Sequence, residues 1–326
     1  MSIFYTGINP LNKFKVVPVF LTINSNYAPY AAASINSLMQ HTDPKRYYRV
    51  IVLHDGLNLV NRWRLRHLVT KNCAIQFKKM TRSLYLKAIV KYCMRRRKGA
   101  GDFFSSAVYY YRFFIPRLFP VYEKAVYIDS DTILRDDIGK LYDTDLGENV
   151  VAAVVDPKVT VIPEFRDYVD KALNVPHEEY VNDGVMVMSL KKMRKMKYLS
   201  TMIEMIKKFD ADLVAPDQDY LNVILKGQIS HLDPNWNAEP VKDLPKAVKL
   251  VHFNLFNKPW HYKNVPCERI FWNAAKGTGF TGDLKRQQAA FDEEKQKADH
   301  EKVGALIQKG AKLAERKRVL IKLEKD

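Results

Sequence analysis

The chain predicts an α/β protein, a mostly parallel central sheet flanked by helices with a basic amphipathic helix at its C-terminal end. Three observations carry this. Short β-branched apolar runs at residues 16–23, 50–53, 74–77 and 150–155 alternate with segments whose apolar positions recur at helical spacing. The run Lys124-Ala125-Val126-Tyr127-Ile128 is a further buried strand, and it leads into Asp129-Ser130-Asp131. Beyond Gly282 glycine and proline become scarce, while Leu306-Ile307, Leu313-Ala314 and Leu320-Ile321 recur every seven residues with Val303 one turn earlier. Residues 1–282 are therefore expected to form the sheet-containing domain, and residues 283–326 a helical basic extension.

Composition narrows the class. A chain of 326 residues, 47% hydrophobic and 27% charged, has the material for a sizeable globular core. The longest apolar runs fall far short of the roughly 18 residues expected of a spanning helix. Lys13, Lys15 and the apolar stretch after them faintly resemble a secretion signal, but Pro18 interrupts the run and no small-x-small cleavage site follows. Cys73, Cys93 and Cys267 are odd in number and unevenly spaced, which fits neither a disulfide framework nor a zinc site, so a reducing, cytoplasmic setting is expected. The net charge is +17 and concentrated: residues 78–98 hold nine basic side chains and no acid, and Lys191-Lys192-Met193-Arg194-Lys195-Met196-Lys197 forms a second cluster. Such fields attract anionic lipid or polyanions. No recognised nucleic-acid motif accompanies them, so no specific nucleic-acid partner is expected.

Taken in order, residues 16–23 form the first strand, Asn24-Ser25-Asn26 turns the chain, and residues 27–40 form a helix. Residues 50–53 are a second strand, closed by His54-Asp55-Gly56. Asn58 can cap the helix carrying Trp63, Leu65 and Leu68, and residues 74–77 supply a third strand. Ligands of open α/β sheets bind beyond the carboxyl ends of the strands, which puts Asn24, Asn26 and Asp129 on one edge. Residues 105–118 read as a helix with an aromatic core face, and Arg112 on it is either a surface charge or a phosphate clamp. Residues 185–190 are a strand, preceded by Asn182-Asp183-Gly184 in a tight turn. Residues 191–209 are one long amphipathic helix whose methionines pack. Pro216 opens the next helix, with Asp217 and Asp219 favoured at its positive end. Lys249-Leu250-Val251-His252 is a short strand. The C-terminal helix, with Lys309, Lys312, Arg316, Arg318 and Lys322 off its apolar stripe, can dock on the domain, pair with another chain or lie on a membrane.

In an extended strand Asp129 and Asp131 point to one side and Ser130 to the other, so the two carboxylates can share a divalent cation. Their oxygens suit hard ions such as Mg²⁺ or Mn²⁺.

The ordered set Asn24-Ser25-Asn26-Tyr27, Tyr111-Arg112, Asp129-Ser130-Asp131, Asn182-Asp183-Gly184, Asp217-Gln218-Asp219 and His252 through Lys258-Pro259-Trp260 resembles glycosyltransferase family 8, which includes bacterial lipooligosaccharide galactosyltransferases and glycogenins. Lys140-Leu141-Tyr142-Asp143-Thr144-Asp145-Leu146-Gly147 is similar to the stretch that follows the family's metal motif. The resemblance spans roughly residues 16 to 262. It implies the nucleotide-sugar-binding GT-A fold and retaining transfer of a hexose, galactose or glucose, from a UDP-sugar. Asp129, Asp131 and His252 would hold Mn²⁺ or Mg²⁺ against the diphosphate, with Lys258 as a second positive contact. Tyr27 would stack on uracil with Asn24 and Asn26 at the base and ribose, and Ser130 and Asn182 would join the donor contacts. Arg112, Asp183 and Asp217 would surround the sugar, with Gln218 below the anomeric carbon.

The chain departs from the family pattern in three places. Asn24-Ser25 stand where the family often has acids, Asp183 stands where a small residue is common, and Leu255 replaces a glycine near the second diphosphate contact. The resemblance implies a glycan or lipid-linked acceptor of the cell envelope, and the basic surface with the amphipathic helix over residues 303–323 points to peripheral contact with the inner, anionic face of the membrane. The competing expectation is a scaffold that binds nucleotide-sugar without transferring it.

Overall fold

The computed structural model describes residues 16–80, 106–209, 211–255, 257–316 and 319–320. The Arg95-Arg96-Arg97-Lys98 run, Ser105, Arg318 and Lys322 lie outside them. The chain divides into two compact units. The described part of the first comprises residues 16–80, Lys124–Asp145 and Asp233–Phe291; that of the second comprises residues 106–123, Leu146–Leu232 and the chain after Phe291.

In the first unit β1 (Val16–Ile23), β2 (Tyr47–His54), β3 (Cys73–Lys79) and β4 (Lys124–Ile128) run parallel in the order β3-β2-β1-β4. β1 and β4 are buried almost throughout, which explains why they read as continuous apolar runs without alternation. Pro18 is tolerated because pairing with β4 begins only at Val19, so one side of β1 needs no donor there. The chain leaves β1 toward β2 and β3 and returns to β4 on the other side of β1, which creates a switch point at the carboxyl ends of β1 and β4. Asn24 follows one of these ends and Asp129 the other. The helix Ala28–Gln40 packs on the helix Glu268–Ala275, whose C-terminal carbonyl at Ala274 accepts from Asn36 Nδ2 at 2.8 Å.

The acid pair departs from the sequence expectation. The strand ends at Ile128, and Asp129-Ser130-Asp131 is a turn into β5 (Thr132–Leu134), closed by Thr132 Oγ1 donating to the Asp129 carbonyl at 2.8 Å. β5 pairs antiparallel with β9 (Leu250–His252), and this register sets Thr132 opposite His252.

In the second unit β6 (Val151–Val155) pairs antiparallel with β7 (Val181–Ser189) and parallel with β8 (Ile229–His231). Asn182-Asp183-Gly184 is not a tight turn before a strand; it lies within β7. The register jumps from Ala153 opposite Met186 to Val155 opposite Val181, so β7 bulges over these residues. A bulge re-aims side chains that a regular strand would alternate. Asn222 holds its start, accepting from Val181 N at 2.8 Å and donating to Val181 O at 2.9 Å.

Two helices also differ from expectation. Residues 107–114 form a 3₁₀ helix capped by Ser106, followed by the short helix Ile115–Leu118. The segment 191–209 is two helices, Leu190–Lys195 and Tyr198–Phe209, broken where Lys197 takes a left-handed φ of 57°. The C-terminal helix runs Glu293–Glu315, ten residues earlier at its start than Val303, because Asp292 caps it by accepting from Lys295 N at 3.0 Å. Its Leu306, Leu313 and Ala314 are buried, and it packs on the helix Pro163–Asp167 within its own unit. Gly310 makes that approach possible: a Cβ there would stand 3.1 Å from the Phe165 ring and 3.3 Å from the Glu164 carbonyl. The apolar stripe is thus occupied by protein.

Candidate functional site

The first unit gathers Asp129, Asp131 and His252, with one ligand atom of each within 4.8 Å of the others. His252 Nε2 lies 3.3 Å from Asp131 Oδ1 and 3.9 Å from Asp129 Oδ2. Its other ring nitrogen, Nδ1, sits 2.9 Å from Asn237 Oδ1. A carbonyl oxygen can only accept, so Nδ1 is the donor in this contact, and Nε2 is the ring nitrogen that faces the two acids. Asn237 is carried there by backbone bonding: Ala238 N donates to Leu250 O at 3.0 Å and His252 N to Ala238 O at 2.8 Å. On the other flank Thr22 Oγ1 and Tyr127 Oη share a hydrogen bond of 2.9 Å, and Tyr127 Oη donates to Asp129 Oδ1 at 2.7 Å.

Lys258 Nζ closes the cluster, 2.7 Å from Asp131 Oδ2 and 2.7 Å from the Phe253 carbonyl. Burial alone would raise the Asp131 carboxyl, but the charges of Lys258 and His252 outweigh it and hold Asp131 well below the usual carboxylate range. Burial would likewise lower Lys258, yet Asp131 keeps it above the ordinary lysine value. The loop before Lys258 is left-handed at Leu255, φ 62°, and at Asn257, φ 49°. The leucine therefore keeps a path open to glycine, at a cost of about 1–2 kcal/mol for its side chain.

At the end of β1, Asn24 Oδ1 accepts from Asn26 N at 2.9 Å and Tyr27 N at 3.1 Å, so its carbonyl is used to shape the turn. Asn26 is exposed, and Tyr27 is half-buried, edge-on to Tyr30 at 5.2 Å. Tyr30 in turn stacks on Trp260 at 4.2 Å, which ties the turn to the lysine loop. Ser130 is buried in its turn.

The second unit holds a separate polar network. Arg112 is 2% exposed; its Nη1 lies 2.7 Å from Asp183 Oδ1 and donates to the Asp183 carbonyl at 2.9 Å, and its Nη2 is 3.3 Å from Asp217 Oδ2. Arg112 is thus no surface charge. Gln218 Nε2 donates to Asp156 Oδ2 at 2.8 Å, while its Oε1 accepts from Asn182 Nδ2 at 3.0 Å and from Asp183 N at 3.3 Å. Asn182 also reaches Asp156 at 3.2 Å. Both ends of the Gln218 amide are fixed, and the oxygen is saturated.

Asp219 faces inward from the same helix, Pro216–Ile224, and accepts from Tyr168 Oη at 2.8 Å, Tyr180 Oη at 2.5 Å and Ala215 N at 3.0 Å. Burial pushes its carboxyl up to about 7 even against these donors. An unfolded aspartate titrates near 4, so between about pH 4 and 7 the folded chain keeps a proton that the unfolded chain has shed. Stability is therefore expected to fall as pH rises through this window. Thermal melts of the parent and Asp219→Asn at pH 5 and pH 7.5 check this: the parent should lose stability relative to the variant at the higher pH, and parallel melts would refute it.

Three supporting residues escape sequence reading: Asn237, Tyr127 and Asp156. Only Asp156 leaves a signal, an acid at the carboxyl end of β6. Partners of metal-ligating histidines tune affinity by about 10–100-fold, so Asn237→Ala is expected to weaken Mn²⁺ binding by that factor in a calorimetric titration while leaving the melt nearly unchanged.

The comparisons with known proteins point to one family. The model of glycosyl transferase family 8 matches residues 18–264. General stress protein A of Bacillus subtilis is 28% identical over 234 residues, covering 70% of this chain and 76% of its own. The lipopolysaccharide 1,2-glucosyltransferase of Escherichia coli is 25% identical over 213 residues, 60% of this chain and 62% of its own. Among solved structures, the WbbM bifunctional glycosyltransferase superposes with a TM-score of 0.71 at 26% identity over 86% of this chain, which spans about half of that longer protein (52%). Galactosyltransferase LgtC, solved with donor and acceptor sugar analogues, gives a TM-score of 0.62 at 21% identity, covering 85% of this chain and 98% of its own, and shares the fold. With three quarters of its length matched by one family model, and with its acids, histidine and lysine assembled at the carboxyl end of the central strand, this chain belongs to glycosyltransferase family 8.

Proposed function

We propose that the protein is a metal-dependent retaining hexosyltransferase that moves galactose or glucose from a UDP-sugar to a glycan or lipid-linked acceptor of the cell envelope. The observation that carries this is the convergence of Asp129, Asp131 and His252, with Lys258 at the same carboxylate, in a family 8 chain. This donor set of two carboxylates and one imidazole suits Mn²⁺ or Mg²⁺. The bound ion would supply Lewis-acid stabilisation of the charge that grows on the departing diphosphate.

Every other role belongs to the chain. Lys258 neutralises the diphosphate, Tyr27 offers a ring for the uracil, and Asn24 shapes the turn that presents Asn26 and Tyr27. Arg112 holds Asp183 and Asp217 for the sugar hydroxyls, and Asn182 and Asp156 orient Gln218. A glutamine whose oxygen already accepts two hydrogen bonds is a poor nucleophile. The reading that fits is a same-face displacement: the acceptor oxygen bonds to the anomeric carbon as the bond to the diphosphate breaks, its electron pair stays on the diphosphate, and the acceptor proton moves to that leaving group.

None of the described helices is long and apolar enough to cross a membrane. The reading includes a cytoplasmic setting at the inner membrane face, where UDP-sugars meet lipid-linked acceptors. Because its stripe is packed on its own unit, the C-terminal helix would touch anionic lipid through charged side chains alone.

The test is UDP release from UDP-galactose, UDP-glucose and UDP-N-acetylglucosamine with and without Mn²⁺. Release that depends on the metal and favours one donor is expected. Binding without release would leave a nucleotide-sugar scaffold, and failure to bind any of the three would overturn the reading.

A further inference from the structure

We infer that the helix Leu59–Arg66 is a membrane-interface element that seats the protein on anionic phospholipid. Leu59 is 78% exposed, Val60 57% and Trp63 61%, three large apolar side chains on one short helix. At about 100° per residue, Leu59, Val60, Trp63, Arg66 and His67 share an arc of about 120°, with buried Leu65 on the opposite side. The helix start is fixed, since Asn58 Oδ1 accepts from Asn61 N at 2.7 Å, so these residues do not belong to a fraying end.

The rim is cationic. Arg62 leans back to the Leu57 carbonyl at 3.0 Å, Arg64 pairs with Asp283 at 2.7 Å, Arg66 lies over the Phe77 ring at 5.5 Å, and His67 packs on the Trp63 ring at 4.0 Å. From Gly56 to Met80 the chain carries Arg62, Arg64, Arg66, Lys71, Lys78 and Lys79 and no acid. Indole and aliphatic side chains settle at the headgroup boundary, and long cationic stems reach the phosphates around them. Scattered apolar residues on a surface need no explanation, but an adjacent leucine, valine and tryptophan ringed by arginine match what an anionic bilayer binds. The C-terminal helix offers no such face, because its stripe is packed on Phe165. The inference is independent of the donor sugar and of catalysis.

Full-length protein is sedimented with vesicles of phosphatidylcholine alone or mixed with phosphatidylglycerol, and its tryptophan fluorescence is read against brominated lipid. Binding to the phosphatidylglycerol vesicles is expected, falling by about tenfold or more in Leu59→Ser/Trp63→Ser at an unchanged melting temperature. Quenching by brominated lipid should fall sharply in Trp63→Phe, since Trp236 and Trp260 are buried and Trp272 is half-buried. Equal partition of the double variant and the parent would overturn the inference. So would a parent that ignores anionic vesicles, or one that sediments as a dimer which the double variant dissociates, because the face would then belong to a second copy of the chain.

Discussion

Asp131→Ala is expected to abolish metal-dependent UDP-sugar turnover, by about 10³-fold, the equivalent of several kcal/mol of charge stabilisation at the leaving group. Two features make this residue more consequential than its neighbour. Asp131 faces His252 with one oxygen and Lys258 with the other, at 3.3 and 2.7 Å, whereas Asp129 accepts from the Tyr127 hydroxyl at 2.7 Å and stands farther from His252, at 3.9 Å. Removing Asp131 therefore takes away a ligand and also the anchor that holds Lys258 at the diphosphate position. Asp131→Asn keeps the shape and one hydrogen-bonding oxygen, so it separates charge from packing. It should lose nearly as much turnover while its melting temperature stays close to the parent's. Turnover within threefold of the parent in either variant would rule out the proposed metal site.

The second large effect is structural. Arg112→Met should destabilise the protein by about 3–5 kcal/mol, because it strands the buried carboxylates of Asp183 and Asp217 without their cation. A urea or thermal melt reads this directly. Adding Asp183→Asn and Asp217→Asn to Arg112→Met should recover a large part of the loss, since it is the uncompensated charge that costs most. Arg112→Lys should fall between, because one ammonium cannot span both acids as the planar guanidinium does. A single Arg112→Met variant that melts with the parent would mean the two acids are solvated or protonated, and the network would have to be redrawn.

How much of this could be read from the chain differs by element. β1, β2, β4 and β6 were legible because strands covered on both faces are uniformly apolar, and few other structures tolerate that composition. The order of functional motifs was legible as well, and two of them, Asn24-Ser25-Asn26-Tyr27 and Asp129-Ser130-Asp131, follow the carboxyl ends of β1 and β4. The sequence reading failed where a side chain replaces backbone pairing. Asn222 holds the start of β7, so Asn182-Asp183-Gly184 becomes a bulge and not a turn. Asp129, Asp131 and His252 were grouped by the family resemblance and do meet, but through a turn and the β5–β9 register, a pairing across more than a hundred residues that no local pattern encodes. Asn237 was invisible because nothing in its neighbours signals a partner for a histidine fifteen residues later.

The docking of the helix Glu293–Glu315 on the helix Pro163–Asp167 has a consequence for how the chain is made. The second unit takes its described residues from three separate stretches, and the last of these seals Phe165 through Gly310. During synthesis the ribosome delivers the middle stretch, then the remainder of the first unit, before that seal is translated. The second unit must therefore wait with Phe165 and its neighbours exposed, a period in which chaperone binding and aggregation compete with folding.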